Sequence, residues 1–373
     1  MKLIYCASSM IPSRTANSIH VMRMCSSFAR QGFYVELLVP ECKDIETNFE
    51  NVFIYYGVEN NFTIRRISRW SIAGKGINFF YGIIAGIVAG FSKNSLIYGR
   101  NITACAVASI LGSRVVFEAH GLDFYQRPLD KILFKLMIKQ KRFLRLIVIS
   151  KQLELDILEI FPSLSSKTLV AHDGADFAGG VNEEFKLPGT EYHMHVGYVG
   201  HLYPGRGYEL IRDLAKKTSW AAFHIVGGTE EALEDIRNAS NVPDNIYLHG
   251  FVPPADAEQY RLSCDVLIAP YQKTVLTNSG LDTTRWMSPL KLFEYMAAGK
   301  PIICSDIPVL REILEHNKTA LMVPPEDVSI WVKSLEQLKN DKELCQKLGD
   351  NAKTLLQSDY TWDSRAQSVV EGL

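Results

Sequence analysis

Short apolar runs alternate with helix-length stretches along almost the whole chain, and that rhythm restricts the fold to the α/β class. Leu3 to Cys6, Val35 to Val39, Ser95 to Tyr98, Val115 to Glu118, Leu146 to Ser150 and Thr168 to Ala171 read as strands of a buried parallel sheet. Residues Asp176 to Tyr192 break the rhythm with Gly179-Gly180 and Pro188-Gly189, as a linker does. A second series runs through Val196 to Val199, Ala222 to Val226, Ile246 to His249, Val266 to Ala269, Ile302 to Cys304 and Leu321 to Val323. The expectation is two Rossmann-like, doubly wound domains in tandem. A length of 373 residues, too great for one ordinary core, agrees.

A formal net charge of −1 gives no argument for a nucleic-acid partner, so any anion site must be local. The seven cysteines, Cys6, Cys25, Cys42, Cys105, Cys264, Cys304 and Cys345, are scattered and form no CxxC pair. They indicate neither a disulfide framework nor a zinc site, and a reducing cytosol is the expected compartment. Lys2 is followed by Leu3-Ile4-Tyr5-Cys6-Ala7, too short for a signal-peptide core and suited to a first strand, so secretion is not expected. Ile77 to Phe91 is strongly apolar but shorter than the roughly 20 residues a membrane span needs, and reads as a buried helix. Lys131 to Arg145 places six basic residues among apolar ones, a pattern shared by peripheral membrane helices and by surface helices with one core face.

The chemistry concentrates in Ser288-Pro289-Leu290-Lys291-Leu292-Phe293-Glu294, followed by Tyr295-Met296-Ala297-Ala298-Gly299. Pro289 suits the first helical position and Gly299 the stop. Free N–H groups of Leu290, Lys291 and Leu292 would point at an anion, with the Lys291 charge beside them. Glu294, three residues on, shares that face and can accept from two ribose hydroxyls. The segment reads as a nucleotide-diphosphate clamp, against the plainer reading of a Lys-Glu pair on a solvated helix. Gly200-His201-Leu202-Tyr203-Pro204-Gly205-Arg206 follows the first strand of the second series and offers N–H groups and a guanidinium to a diphosphate. Gly227-Gly228 would admit a backbone close to a ligand, or serve only as a tight turn.

These stretches together resemble the donor-binding signature of family-4 glycosyltransferases (glycosyl transferases group 1), and the resemblance covers almost the whole chain. It implies the GT-B architecture, two Rossmann-like domains facing a cleft: residues 1–178 on the acceptor side, a linker at 179–192, a donor domain at 193–358, and a helix at 359–373 that crosses back. Arg206 keeps the second cation of the family's phosphate grip, whereas His201 replaces the arginine at the first. His249-Gly250-Phe251 matches the segment whose backbone reads the base. Glu294 matches the second, ribose-binding glutamate of the family's Glu-(seven residues)-Glu motif, but Trp286 stands where the family has the first, which holds the donor sugar, with Asp282, Thr283, Thr284 or Ser288 as substitutes. His120, in Glu118-Ala119-His120-Gly121-Leu122-Asp123, matches a histidine beside the reacting sugar carbon, with Asp123 to orient it or the acceptor. Arg14, Ala16 and Asn17 fall where family members face the donor phosphate, though Asn17 also suits a helix cap. Ser150 and Asp173-Gly174-Ala175-Asp176 match hinge and scaffold positions.

The implied function is metal-independent, retaining transfer of a sugar from a nucleotide diphosphate, UDP or GDP, to a hydroxyl of a glycan or lipid-linked acceptor, without a cofactor. Bacterial polysaccharide assembly in the cytoplasm, at the inner face of the membrane if Lys131 to Arg145 touches lipid, is the setting the resemblance suggests. Trp286 keeps a catalytically silent partner subunit open, and a nucleotide-sugar epimerase on the same fold is the other alternative.

Overall fold

The computed structural model describes residues 1–41, 51–68, 77–177, 179–180, 184–239, 242–276 and 280–373. Cys42, Asn278 and Ser279 lie outside the described residues. The chain divides into one unit of Met1–His172 with Trp362–Leu373 and a second of Asp173–Thr361.

The first unit contains β1 (Lys2–Cys6), α1 (Ala16–Arg30), β2 (Tyr34–Pro40), α2 (Val52–Tyr56), β3 (Thr63–Ile67), α3 (Ile77–Gly90) and β4 (Ser95–Gly99). It continues with α4 (Ile102–Ile110), β5 (Arg114–Ala119), α5 (Asp123–Gln126), α6 (Pro128–Ile138), β6 (Phe143–Val148), α7 (Lys151–Ile160) and β7 (Thr168–Val170). The second contains β8 (Met194–Val199), α8 (Tyr208–Lys217), β9 (Ala221–Val226), α9 (Glu230–Asn238), β10 (Ile246–Gly250), α10 (Ala257–Ser263) and β11 (Val266–Ala269). There follow α11 (Leu290–Ala298), β12 (Ile302–Ser305), β13 (Leu321–Val323), α12 (Val328–Asn340) and α13 (Lys342–Asp359). The chain then re-enters the first unit as α14 (Trp362–Val370).

Both sheets are parallel, in the orders β3-β2-β1-β4-β5-β6-β7 and β10-β9-β8-β11-β12-β13. Each is the doubly wound, Rossmann-like sheet expected from the alternation. Strand order reverses between β1 and β4 in one and between β8 and β11 in the other, and at such switch points loops after neighbouring strands diverge and leave a crevice. Helices cover both faces, so successive residues of β11 enter different cores: Val266 and Ile268 pack with Trp331 and Leu335, Leu267 and Ala269 with Leu292 and Phe293.

Four local readings need correction. β3 carries no apolar run because it is an edge strand, with Thr63, Arg65 and Arg66 exposed. β6 begins at Phe143, three residues before the expected start, which splits the basic stretch into α6, a turn and a strand. Arg145 consequently belongs to β6 and donates to the carbonyls of Ser368 and Val369 (both 3.2 Å) and Glu371 (2.9 Å), capping the C-terminal end of α14. Pro289 is the N-cap of α11 with an extended ψ of 115°, and its carbonyl takes the Leu292 N–H at 3.0 Å, so that N–H is not free for an anion. The apolar Ile77 to Phe91 stretch is α3, laid on the first sheet, where the Tyr81 hydroxyl donates to the carbonyls of Ala7 (2.6 Å) and Leu38 (2.9 Å). Among the described residues no helix is long and apolar enough to cross a membrane.

One polar feature lies across the second sheet. His195, His224 and His249, on the adjacent strands β8, β9 and β10, are hydrogen-bonded in a row: His195 Nδ1 to His224 Nε2 at 2.8 Å, and His224 Nδ1 to His249 Nε2 at 3.0 Å.

Candidate functional site

At the switch point of the second unit, β8 ends in Val199-Gly200 and β11 in Ala269, followed by Pro270-Tyr271. The Val199 N–H donates to the Tyr295 hydroxyl at 2.8 Å, which pins α11 beside the end of β8. Strong helix formers fill α11, and Gly299 (φ 65°) closes it in the left-handed conformation that glycine adopts without strain. Lys291, the second residue of this helix, is only 9 % exposed. Its Nζ lies 3.8 Å from the Tyr198 ring centroid and 5.1 Å from that of Tyr271. Gly200 leaves it room, since a Cβ there would sit 2.9 Å from Lys291 Nζ.

Arg206 stands in the loop between β8 and α8 with its guanidinium carbon 5.4 Å from the Tyr271 ring centroid. The loop holds its course because Gly205 (φ 84°) touches the Thr274 segment, where a Cβ would lie 1.9 Å from the Thr274 carbonyl oxygen. Neither Arg206 nor Lys291 has an ion-pair partner among the described residues, and Arg206 Nε is buried without a hydrogen bond. Burial, reinforced by Arg206 and only partly offset by Glu294, holds the Lys291 ammonium well below its usual range. Two cations backed by aromatic faces, without a matching carboxylate, form a place for an anion.

Glu294 lies one turn beyond Lys291 and faces Arg261 of α10, Nη1 to Oε2 at 3.3 Å. Arg261 is 7 % exposed and fixes this carboxylate while leaving it further acceptor capacity. Gly227 follows β9, its N–H donating to the Gly250 carbonyl at 2.7 Å, and Phe251 comes directly after β10. Leu290 opens α11 and Leu292 is buried in the core. The His201 ring stacks on Tyr203 with centroids 4.9 Å apart, and its carbonyl accepts from the Tyr198 hydroxyl at 2.6 Å. Ser288 Oγ accepts the Asp173 N–H at 2.8 Å, so this hydroxyl secures the start of the unit. Asp282 accepts from the backbone and hydroxyl of Thr284, and Thr284 Oγ1 accepts the Val275 N–H at 2.7 Å, which ties these substitutes for the missing glutamate into their own loop. Trp286 is half-buried there, its N–H donating to the Thr283 carbonyl at 3.0 Å.

In the first unit His120 directly follows β5, and its Nε2 meets Glu118 Oε1. Glu118, with a fully buried side chain, also accepts from the Tyr98 hydroxyl and from Arg365 (Nη2 to Oε1 at 3.2 Å), and it lies 2.9 Å from His20 Nε2. Burial works to raise this carboxyl, but Arg365 and the histidines outweigh it and hold it well below the ordinary carboxylate range. Burial and the nearby Arg100 cation press the His120 imidazole down to about 4, so it is neutral near pH 7. Asp123, expected as the orienting group, is exposed at the start of α5, and Glu118 stands against the ring instead. Arg14 and Ala16 are exposed, and the N-cap of α1 is Thr15, not Asn17, whose Oδ1 is buried without a hydrogen-bond partner.

Tyr198, Tyr271, Arg261 and Arg365 escaped the sequence reading. The first two sit inside or just past apolar runs and read as core, and nothing local marks a partner far along the chain for the two arginines.

Residues 183–355 match the family model for glycosyl transferases group 1. An uncharacterized glycosyltransferase of Methanocaldococcus jannaschii is 24 % identical over 243 residues, 61 % of this chain and 58 % of that protein. A GDP-mannose-dependent alpha-(1-6)-phosphatidylinositol monomannoside mannosyltransferase of Mycobacterium tuberculosis is 23 % identical over 47 % of this chain and 46 % of its own. The chain thus spans about half the length of the curated relatives it matches. Among solved structures, Anabaena HepE in complex with UDP and glucose superposes with a TM-score of 0.70 at 15 % identity, over 100 % of this chain and 98 % of its own. Residues 183–355 thus match the glycosyl transferases group 1, and the chain shares its two-unit Rossmann-like fold with HepE.

Proposed function

We propose that the chain transfers a sugar, with retention, from a nucleotide diphosphate to an acceptor hydroxyl. The observation that carries this reading is the pair of unmatched cations, Arg206 and Lys291, at the switch point, with Glu294 one helical turn beyond. Departure of a charged diphosphate is the costly event in such a transfer. Preorganised positive groups aimed at developing charge are worth roughly 3–4 kcal/mol each in comparable sites. Arg206 and Lys291 supply that charge, so the reading calls for no divalent metal. Glu294 takes the ribose hydroxyls and the backbone at Phe251 the base, while His120 meets the sugar.

A UDP- or GDP-sugar is the donor class we favour. HepE was solved with UDP and glucose, and the mycobacterial relative is named for GDP-mannose. For the acceptor we propose a lipid-linked glycan held near a membrane surface. In support, α6 exposes Leu129, Ile132 and Leu136 alongside Lys131 and Lys135, an apolar and basic surface suited to anionic lipid. A silent partner subunit is the second reading, favoured by Trp286 at the position where the family carries a glutamate.

Thermal unfolding against UDP, GDP, ADP, CMP and their sugars tests the proposal, since ligand at a hundredfold its Kd adds about 2.7 kcal/mol. A selective shift that disappears in Glu294→Ala supports it. No shift with any nucleotide at millimolar levels defeats it in favour of the silent subunit.

A further inference from the structure

Glu118 and His120 stand two residues apart at the end of β5, where alternate residues share a face. An arginine has only donors to offer, and Arg365 gives them to both oxygens of the Glu118 carboxylate, Nη2 to Oε1 at 3.2 Å and Nη1 to Oε2 at 3.5 Å. The Tyr98 hydroxyl donates to Oε2 as well. A carboxylate so occupied is ionised and can only accept, so the hydrogen between it and His120 must reside on the imidazole Nε2. A neutral imidazole with Nε2–H carries its lone pair on Nδ1. Arg365 is itself held from α14, its Nε donating to the His172 carbonyl at 2.8 Å and Nη2 to that of Ala171 at 3.2 Å.

From this geometry we infer that Glu118, locked as an anion by Arg365, is a positioning residue that fixes His120 as the Nε2–H tautomer and so presents an Nδ1 lone pair that can accept from a sugar hydroxyl but cannot donate to one. The inference rests on the reading that His120 faces the donor sugar. It adds the identity of the ligand group that fits: a hydroxyl as hydrogen donor, not a carbonyl or a phosphate oxygen. The same arrangement gives His120 no proton to deliver from Nδ1, which confines it to orientation and binding.

Nitrogen-15 NMR of the full chain with labelled histidine, the His120 signal assigned by its loss in His120→Asn, decides the tautomer in the unmodified protein. An Nε2–H signal at pH 7 is expected, whereas an Nδ1–H form or a cation overturns the inference. In Glu118→Gln the new amide can donate to Nε2, so the signal should move to Nδ1–H. Sugar transfer should then fall roughly 10- to 100-fold, the cost of one misdirected hydrogen bond, while UDP and GDP affinity stays as in wild type. Unchanged tautomer and rate in a folded Glu118→Gln chain sink it. If that variant does not fold, the wild-type spectrum still decides. Absence of nucleotide binding would instead overturn the transferase reading, leaving the tautomer result to stand separately.

Discussion

Replacing Lys291 by methionine should strengthen the fold while sharply weakening ligand binding, an outcome opposite to that of most core substitutions. Methionine has similar length and no charge, and it adapts to irregular slots. Exchanging buried ionic groups for apolar ones of similar volume is neutral to stabilising, by about 1–4 kcal/mol where it stabilises. Against this stands loss of the contacts with Tyr198 at 3.8 Å and Tyr271 at 5.1 Å, worth ~1–2 kcal/mol. The net gain is about 1 kcal/mol, which for a unit the size of Asp173–Thr361 raises Tm by roughly 2–4 °C. Loss of a charge-assisted phosphate contact of about 3 kcal/mol raises Kd ~150-fold. At a nucleotide concentration that stabilises wild type by about 2.7 kcal/mol, the variant should then gain only about 0.3 kcal/mol. Differential scanning calorimetry with and without UDP and GDP reads both numbers. Because the folded site depresses this ammonium below its ordinary value of about 10.5, the unfolded chain binds the extra proton. The wild-type penalty therefore lies below that pH, and the gap between the two proteins should close as pH rises toward it. A variant less stable than wild type that keeps the full ligand shift refutes the anion-site argument.

Three further outcomes follow from the same structure. Gly205→Ala, which forces a Cβ to within 1.9 Å of the Thr274 carbonyl oxygen at a φ of 84°, should destabilise the second unit by roughly 1–3 kcal/mol and weaken nucleotide binding through Arg206; wild-type chemical denaturation would contradict it. His120 and His224 have imidazoles depressed to about 4 and about 3, first by burial, so the unfolded chain takes up protons below about pH 6.5 that the folded chain refuses. Stability should accordingly fall from pH 6.5 toward pH 4, by up to about 1.4 kcal/mol per pH unit for each group, and a flat denaturation midpoint between pH 7 and 5 would exclude this. Arg145→Met should uncap α14 at a cost of ~1–2 kcal/mol, visible as faster amide exchange across Trp362–Val370. Unchanged exchange there would show the cap to be dispensable.

What the sequence disclosed depended on how local the cause was. The central strands are apolar on both faces and are seen at once, and Gly205, Lys291 and Glu294 are marked by neighbours in the chain. β3 went unseen because an edge strand owes its place to backbone pairing with β2, not to an apolar pattern. Asn17 suits a helix cap by residue type as well as a phosphate contact, but the cap is Thr15, because both types are favoured there and the backbone decides. Asp123 and Glu118 are equally plausible orienting groups for His120 by position, since both carboxylates lie within three residues of the ring. The choice turns on Arg365, whose place 247 residues further along the chain no local pattern reveals.

The row of histidines across β8, β9 and β10 has a consequence of a different kind. A neutral imidazole offers one donor and one acceptor, so three in series obey the same bookkeeping as water molecules in a file. If His195 Nδ1 donates to His224, then His224 must donate to His249, leaving an acceptor at His195 Nε2 and a donor at His249 Nδ1. The reverse order exchanges both ends. The two outermost nitrogens, one beyond β8 and one beyond β10, are therefore not independent: a proton placed at either end dictates, through the buried His224, the polarity shown at the other.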